Sequence, residues 1–271
     1  MGSATREALA TSRAALSVPG GTTDLATGES LFGAGRVIGS SSQLLSALGD
    51  ASADAAAKVT LVRAVFGASV TPRALDLLAA AVSERWSNHD DLLAGIEELG
   101  LRALALSVSA GGASPAETSI EGELFAFGKT VSSDAELELA LASKLGKVGA
   151  KAALVEKLLA GKVSGQTLAI VRHLVQQPRG RRIGELLRHA AAVVADESGT
   201  SIATITSASV LTADQLARLR KNLQLRHGRG LTTNQVVDPE LVGGVRVQIG
   251  DLVIDGSIAT RLADLRLQLA R

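Results

Sequence analysis

A chain of 271 residues with 46% hydrophobic side chains can build one to three cores. With four Phe, one Trp and no Tyr, Ala, Leu and Val must fill them, which suits closely packed helices better than thick sheets. The absence of Cys excludes disulfides, thiol catalysis, iron–sulfur clusters and thiolate zinc sites. The net charge of +1 is unevenly spread: residues 1–123 carry 8 basic and 14 acidic side chains, residues 124–195 carry 11 and 5. The two stretches therefore face different neighbours, or each other.

No apolar run reaches about 18 residues, so no membrane span is expected. The opening MGSATREALATSRAAL lacks the basic-then-apolar order of a secretory signal. Helices are predicted near 4–16, 23–39, 42–48, 53–67, 72–85 and 88–108, punctuated by Ser-Gly and Gly-Gly stretches. Thr71 before Pro72, Ser133-Asp134 and Ser164 read as helix starts. SAGGASP at 109–115 is a flexible break, and a second helical run fills about 116–198, ending on Ile183–Ala195.

Character changes at Thr200. SIATITSASV alternates and is β-branched, so a strand is predicted. Thr212 caps a helix with Leu216, Leu219 and Leu223 on one side. Strands follow at Leu231–Val237, at 245–250 and in DLVIDGS. A last helix places Ile258, Leu262, Leu265 and Leu269 on one face.

The helical part repeats itself. LFGAGRVIGSSSQLLSAL from Leu31 aligns without a gap to LFAFGKTVSSDAELELAL from Leu124, and AAAKVTLVRAVFGASV aligns to VGAKAALVEKLLAGKV. Leu31/Leu124, Phe32/Phe125, Gly35/Gly128, Lys58/Lys151 and Leu61/Leu154 are identical pairs, mostly apolar or small. A duplicated helical unit preserves that pattern, because its buried face dictates residue type. The fold expected is therefore mainly α: two tandem six-helix-type bundles (1–110 and 111–198), then a small α/β domain with a short mixed sheet (199–271).

Gly33, Gly35 and Gly39 mimic the glycine turn that cradles a dinucleotide. The repeat argues against it. The second copy has Ala126 and Ser132 at the outer positions, and TTDLATGES is no strand to feed the turn. Gly35 and Gly128 read instead as places where two helices touch. His89, His173, His189 and His227 lack metal-ligand spacing or a partner nucleophile. PRGRR (178–182) lacks the interleaved aromatics of a nucleic-acid surface. No cofactor, metal or catalytic residue is assigned.

The most specific text is VVDPELVGGVRVQIGDLVIDGSIATRLADLRLQL (236–269). Gly243-Gly244 permits a tight reversal, Gly250-Asp251 a hairpin turn, and Asp255-Gly256-Ser257 the entry to a helix. This combination, with the strand and helix before it, resembles the C-terminal signature of the ATP synthase delta subunit family, which includes the mitochondrial oligomycin-sensitivity-conferring protein. QPRGRRIGELLRHAAAVVADESG leads into it in the family's order. The extra bundle resembles a long, duplicated form. The resemblance implies a stator component without chemistry, on the cytoplasmic face of the bacterial plasma membrane. Its helical part would grip N-terminal helices of the alpha subunits, and its C-terminal domain the end of the b subunits. Arg181, Arg182 and Arg188 are candidate contacts to the head, Arg218 and Lys221 to acidic b ends, and Leu262, Leu265 and Leu269 further partner contacts. The competing readings are a free-standing helical adaptor and, behind it, a nucleotide-dependent enzyme using Gly33–Gly39.

Overall fold

The computed structural model describes residues 2–18, 23–110, 119–143, 148–228, 230–250 and 252–258. They fall into two compact units, Met1–Val194 and Ala195–Arg271.

The first unit is helical: α1 (Ser3–Leu16), α2 (Leu25–Ser40), α3 (Ser42–Gly49), α4 (Ala55–Phe66), α5 (Pro72–Ser83), α6 (His89–Ala110), α7 (Ile120–Ser133), α8 (Ala135–Ala142), α9 (Val148–Leu159), α10 (Gly165–Gln176) and α11, which begins at Ile183 and runs to Glu197. Local chemistry sets the starts. Asp24, Ser41, Asp54, Thr71, Ser119, Asp134 and Ser164 each accept a hydrogen bond from a backbone N–H of the first turn, worth ~1 kcal/mol apiece. Pro72 follows Thr71 at a position where its missing N–H costs nothing.

Leu31, Ile38, Leu48, Val62, Leu77, Leu78, Val82, Leu92, Ile96 and Leu99 form a core with almost no exposure. Small residues bring its backbones together. An added Cβ on Gly100 would lie 2.5 Å from the Phe32 ring, and one on Gly35 would lie 3.3 Å from Ile96. Trp86 is buried, donates from Nε1 to the Ala81 carbonyl at 2.8 Å, and lies against Gly95.

A spacing of 93 residues runs through this unit. The bounds 42–49, 55–66 and 72–83 of α3, α4 and α5 recur as 135–142, 148–159 and 165–176 in α8, α9 and α10. Burial recurs too. Leu31 and Leu124, Leu48 and Leu141, Val62 and Val155, and Leu78 and Val171 are all buried, as are Lys58 and Lys151. Lys151 donates from Nζ to the Leu141 carbonyl at 2.8 Å.

The second unit is a small mixed sheet with one described helix. β1 (Thr200–Ser207), α12 (Ala213–His227), β2 (Gly230–Val237), β3 (Val245–Ile249) and β4 (Leu252–Asp255) give the strand order β2-β1-β3-β4. β1 and β2 are parallel, which requires a crossover, and α12 supplies it. The β1–β3 and β3–β4 pairs are antiparallel. Thr212 and Gln215 form a reciprocal capping box at the start of α12, and Gly228 ends it in the left-handed region. Leu223 joins Ala203, Ile205, Leu231, Val247 and Ile249 in the core, with Leu216 and Leu219 packed against it. Residues 259–269 of the expected closing helix, with Leu262, Leu265 and Leu269, lie outside the described residues, as does Asp251.

Candidate partner-contact site

The acidic and basic helical stretches meet. Glu97, on α6, is 3% exposed at its side chain, yet its carboxylate is fully engaged. Arg179 donates to it at 2.6 Å, and Arg181 reaches both oxygens at 2.9 and 3.0 Å. The His173 Nε2 lies 3.4 Å away. Burial pushes the Glu97 carboxyl up. The hydrogen bond from His173 and the charges of Arg179 and Arg181 more than reverse it and hold the group at about 2. Burial in turn pushes His173 down, so the ring is neutral near pH 7. Its two partners choose the tautomer: Nε2–H faces Glu97, and Nδ1 accepts from Arg36 at 3.4 Å. The ring stacks on Phe32, centroids 4.0 Å apart and 7° from parallel.

Backbone geometry shows what this arrangement costs. Arg181 N–H donates to the Pro178 carbonyl at 2.9 Å, closing a turn whose central residues are Arg179 at φ 47° and Gly180 at φ 77°. Positive φ at both positions is the mark of a type I′ turn, which prefers Gly or Asn. Arg179 is the only described non-glycine residue with positive φ. A left-handed residue bearing a Cβ costs ~1 kcal/mol, and the ion pair to Glu97 offsets it.

A second contact reinforces the first. Arg172 on α10 bridges Glu29 on α2 at 2.5 Å and Glu156 on α9 at 3.2 Å. Within the acidic stretch, Glu98 binds Arg13 of α1 and Arg102 of its own helix.

Two surface grooves repeat at the spacing of 93 residues. One, of about 670 Å³, lies between α2 and the end of α4; its lining includes Ser30, Gly33, Ala34, Val37, Val65 and Val70. The other, of about 340 Å³, is lined at the positions 93 residues later by Glu123, Ala126, Phe127, Thr130, Leu158 and Val163. Val37 and Val65 are exposed at the first groove.

The sequence-derived candidates scatter. Arg181 spends its guanidinium on Glu97 and on the Pro178 carbonyl. Arg182 and Arg188 are exposed at the start and on the outside of α11, and Arg218 and Lys221 are exposed on α12. Gly243, Gly244 and Gly250 take φ of 70°, 79° and 57°, as turn residues without a side chain can. Gly256 N–H donates to the Val245 carbonyl at 2.9 Å. Asp255 accepts from Ser257 N–H at 2.9 Å and from Arg246 at 3.0 Å. Ser257 first, with Arg246 behind it, holds the Asp255 carboxyl down at about 2. Gly33–Gly39 lies inside α2, so it is not a strand-to-helix turn and cannot form that kind of pyrophosphate cradle. Among the described residues no three His, Asp or Glu side chains gather as metal ligands, and no helix is long and apolar enough to cross a membrane.

Sequence reasoning did not find Glu97, His173 and Arg179 as a cluster. The one available signal was the opposed charge of the two stretches.

Residues 103–269 match the family model described as ATP synthase delta (OSCP) subunit. A protein of Leifsonia xyli named ATP synthase subunit delta is 54% identical over 270 residues, covering 100% of both chains. The chain belongs to the ATP synthase delta (OSCP) subunit family. A Kineococcus radiotolerans protein of the same name is 39% identical over 90% of this chain and 87% of its own. A chain of the Toxoplasma gondii mitochondrial ATP synthase hexamer is similar over 63% of this chain and 97% of that one, at 20% identity and a TM-score of 0.38. The match to the delta (OSCP) family model begins inside α6. Glu97 lies before it and Arg179 within it, so the buried cluster ties the leading residues to the family-matched part.

Proposed function

We propose that the protein is a non-catalytic stator subunit of an F-type ATP synthase, peripheral to the membrane on its cytoplasmic side. In this reading the helical unit grips N-terminal helices of the alpha subunits, and the C-terminal unit holds the end of the b subunits. A stator must transmit torque without yielding, which demands an internally stiff body and slow dissociation from its partners. The observation that carries the reading is the full-length likeness to proteins named ATP synthase subunit delta. The buried cluster at Glu97 supports it, because it welds the oppositely charged helical stretches into one compact body. The spacing of 93 residues supports a duplicated helical unit.

The test is reconstitution of the full chain with isolated catalytic head and, separately, with b subunits, each mapped by hydrogen exchange. Protection within 1–194 by the head and within 195–271 by b is expected. Protection by neither, or the reverse assignment, overturns the reading. Arg182 and Arg188 are exposed and available for steering the head. Replacing both with Ala should slow association with the head several-fold at low salt and little at high salt, since exposed charges act mainly on the on-rate. Stopped-flow association at two ionic strengths checks this.

A further inference from the structure

The acidic and basic stretches meet along α2. This helix lies on α6, where Gly28 meets Leu104, Phe32 meets Gly100 and Gly35 meets Ile96. It also lies on α10, where Glu29 pairs with Arg172 and Gln177 donates to the Gly35 carbonyl at 3.4 Å. At the centre of this seam is one imidazole. His173 is 2% exposed and is touched by Phe32 and Arg36 of α2 and by Glu97 of α6.

The charges around the ring are mostly cationic. Glu97 favours a proton on it, but that carboxylate already binds Arg179 and Arg181. Burial, Arg36 and Arg179 oppose the proton. The remaining carboxylates have other partners. Glu29 of α2 and Glu156 of α9 bind Arg172, Asp90 of α6 acts on Arg179, and Glu123 of α7 binds Ser164 and Thr167 at the far end of α10.

Geometry fixes where a proton would go. Nε2 carries the hydrogen that faces Glu97, so only Nδ1 is free to accept one. Protonation there turns the acceptor of the Arg36 hydrogen bond into a donor. Two like charges then stand head to head. The stack on Phe32 tolerates either form of the ring, because the conflict lies in the ring plane. The seam also holds other costs that opening would relieve. Arg179 sits at φ 47°, and Arg179 Nε and Gln176 Oε1 are buried with no hydrogen-bond partner among the described residues.

We propose that this seam is a proton-operated latch: a proton taken up at Nδ1 of His173 expels Arg36 and releases α2 from α10, so that acidification parts the acidic stretch from the basic one. Protonation of buried His switches interfaces in this way. The latched ring resists a proton that the open, hydrated ring accepts at its ordinary value of 6.5. The latch is therefore fully engaged above pH 6.5 and weakens below it, by up to about tenfold in the opening equilibrium per pH unit. Glu97 begins to lose its contribution only below 4.5, so the ring acts first. The device operates in the isolated chain, whatever the chain binds.

Hydrogen exchange of the full chain from about pH 7.5 to about pH 5, corrected for intrinsic rates, is the test. Opening of α2 and α10 amides should rise by up to about tenfold per unit below pH 6.5, and more than that of α4 and α5, which pack on each other. In His173→Gln the side-chain amide can still donate to Glu97 and accept from Arg36 but does not titrate. Its exchange should lose that slope, whatever its absolute stability. Arg36→Gln keeps the ring and removes the like charge, so its rise between pH 7.5 and 5.5 should be several-fold smaller than in the wild type. It serves alone if His173→Gln does not fold. A wild-type profile that is flat over the window overturns the latch, as does a slope shared by the wild type and the variants. Either result leaves the stator reading standing.

Discussion

Replacing Glu97 with Ala should destabilise the helical unit by about 3 kcal/mol, the cost of removing one member of a buried charge cluster. The cost lies in what is left behind: Arg179 and Arg181 lose their buried counter-charge, and at 18% and 32% side-chain exposure they recover only part of their hydration. The change also strands Arg179 in a left-handed turn with nothing to compensate it. Glu97→Gln, which keeps shape and loses charge, should cost less, about 2 kcal/mol. The chain has a single Trp, Trp86, in the first unit, so its fluorescence in denaturant reports this unit alone. A shift below 0.5 kcal/mol, roughly what a surface pair is worth, would show that the cluster carries no load.

The same site sets an acid limit. Glu97 sits at about 2 against an ordinary value of 4.5. A carboxyl depressed in the folded state gives stability that is complete above its ordinary value and is lost as pH falls through the folded value. The unit should therefore weaken between pH 4.5 and 2 by on the order of 3 kcal/mol from this group. In Glu97→Gln that part of the acid sensitivity should vanish, leaving a flatter stability profile over the window. Identical profiles for the two proteins would remove Glu97 from the account.

Gly244→Ala should cost about 3 kcal/mol in the second unit, from two causes that add. Gly244 has φ 79°, and a Cβ there would lie 2.5 Å from the Gly256 carbonyl oxygen and 2.9 Å from the Ser257 Cα. Backbone on the opposite side cannot swing away as a side chain could. Gly228→Ala is the control. It has φ 72° with no atom within 4 Å of an added Cβ, so it should lose only the ~1 kcal/mol of left-handed strain. Hydrogen exchange of β1 and β3 amides measures both, because this unit holds no aromatic side chain. Equal losses from the two substitutions would mean that the close approach at Gly244 contributes nothing.

Much of the local structure was legible from neighbouring residues. Thr71, Asp134, Ser164 and Thr212 cap helices because a short polar side chain reaches an N–H two or three residues ahead, and both partners sit in one stretch of sequence. Gly243, Gly244 and Gly250 were readable as turns for the same reason. The strand order was less accessible, since nothing local tells β1 to take β2 on one side and β3 on the other. Arg181 shows the limit at the candidate site. As text it is one basic residue in PRGRR, equally suited to a partner or to the interior. In the structure it serves the interior, while its neighbour Arg182 stays exposed.

By itself, then, the sequence determined the helices of the first stretch, the caps at Thr71, Asp134, Ser164 and Thr212, the self-alignment at a spacing of 93 residues, the mixed character of the last 70 or so residues and the family signature at 236–269. All of these depend on residues a few positions apart, or on a pattern of buried and exposed positions that any alignment of the chain with itself reveals. Only the tertiary structure decided that the acidic stretch binds the basic one, that Glu97 gathers partners 76 to 84 positions away, and that α2 packs along both α6 and α10. Charge in a sequence has sign and no direction. Which carboxylate loses its water, and which guanidinium follows it inward, is settled when packing brings side chains from distant parts of the chain within about 3 Å and excludes solvent from between them.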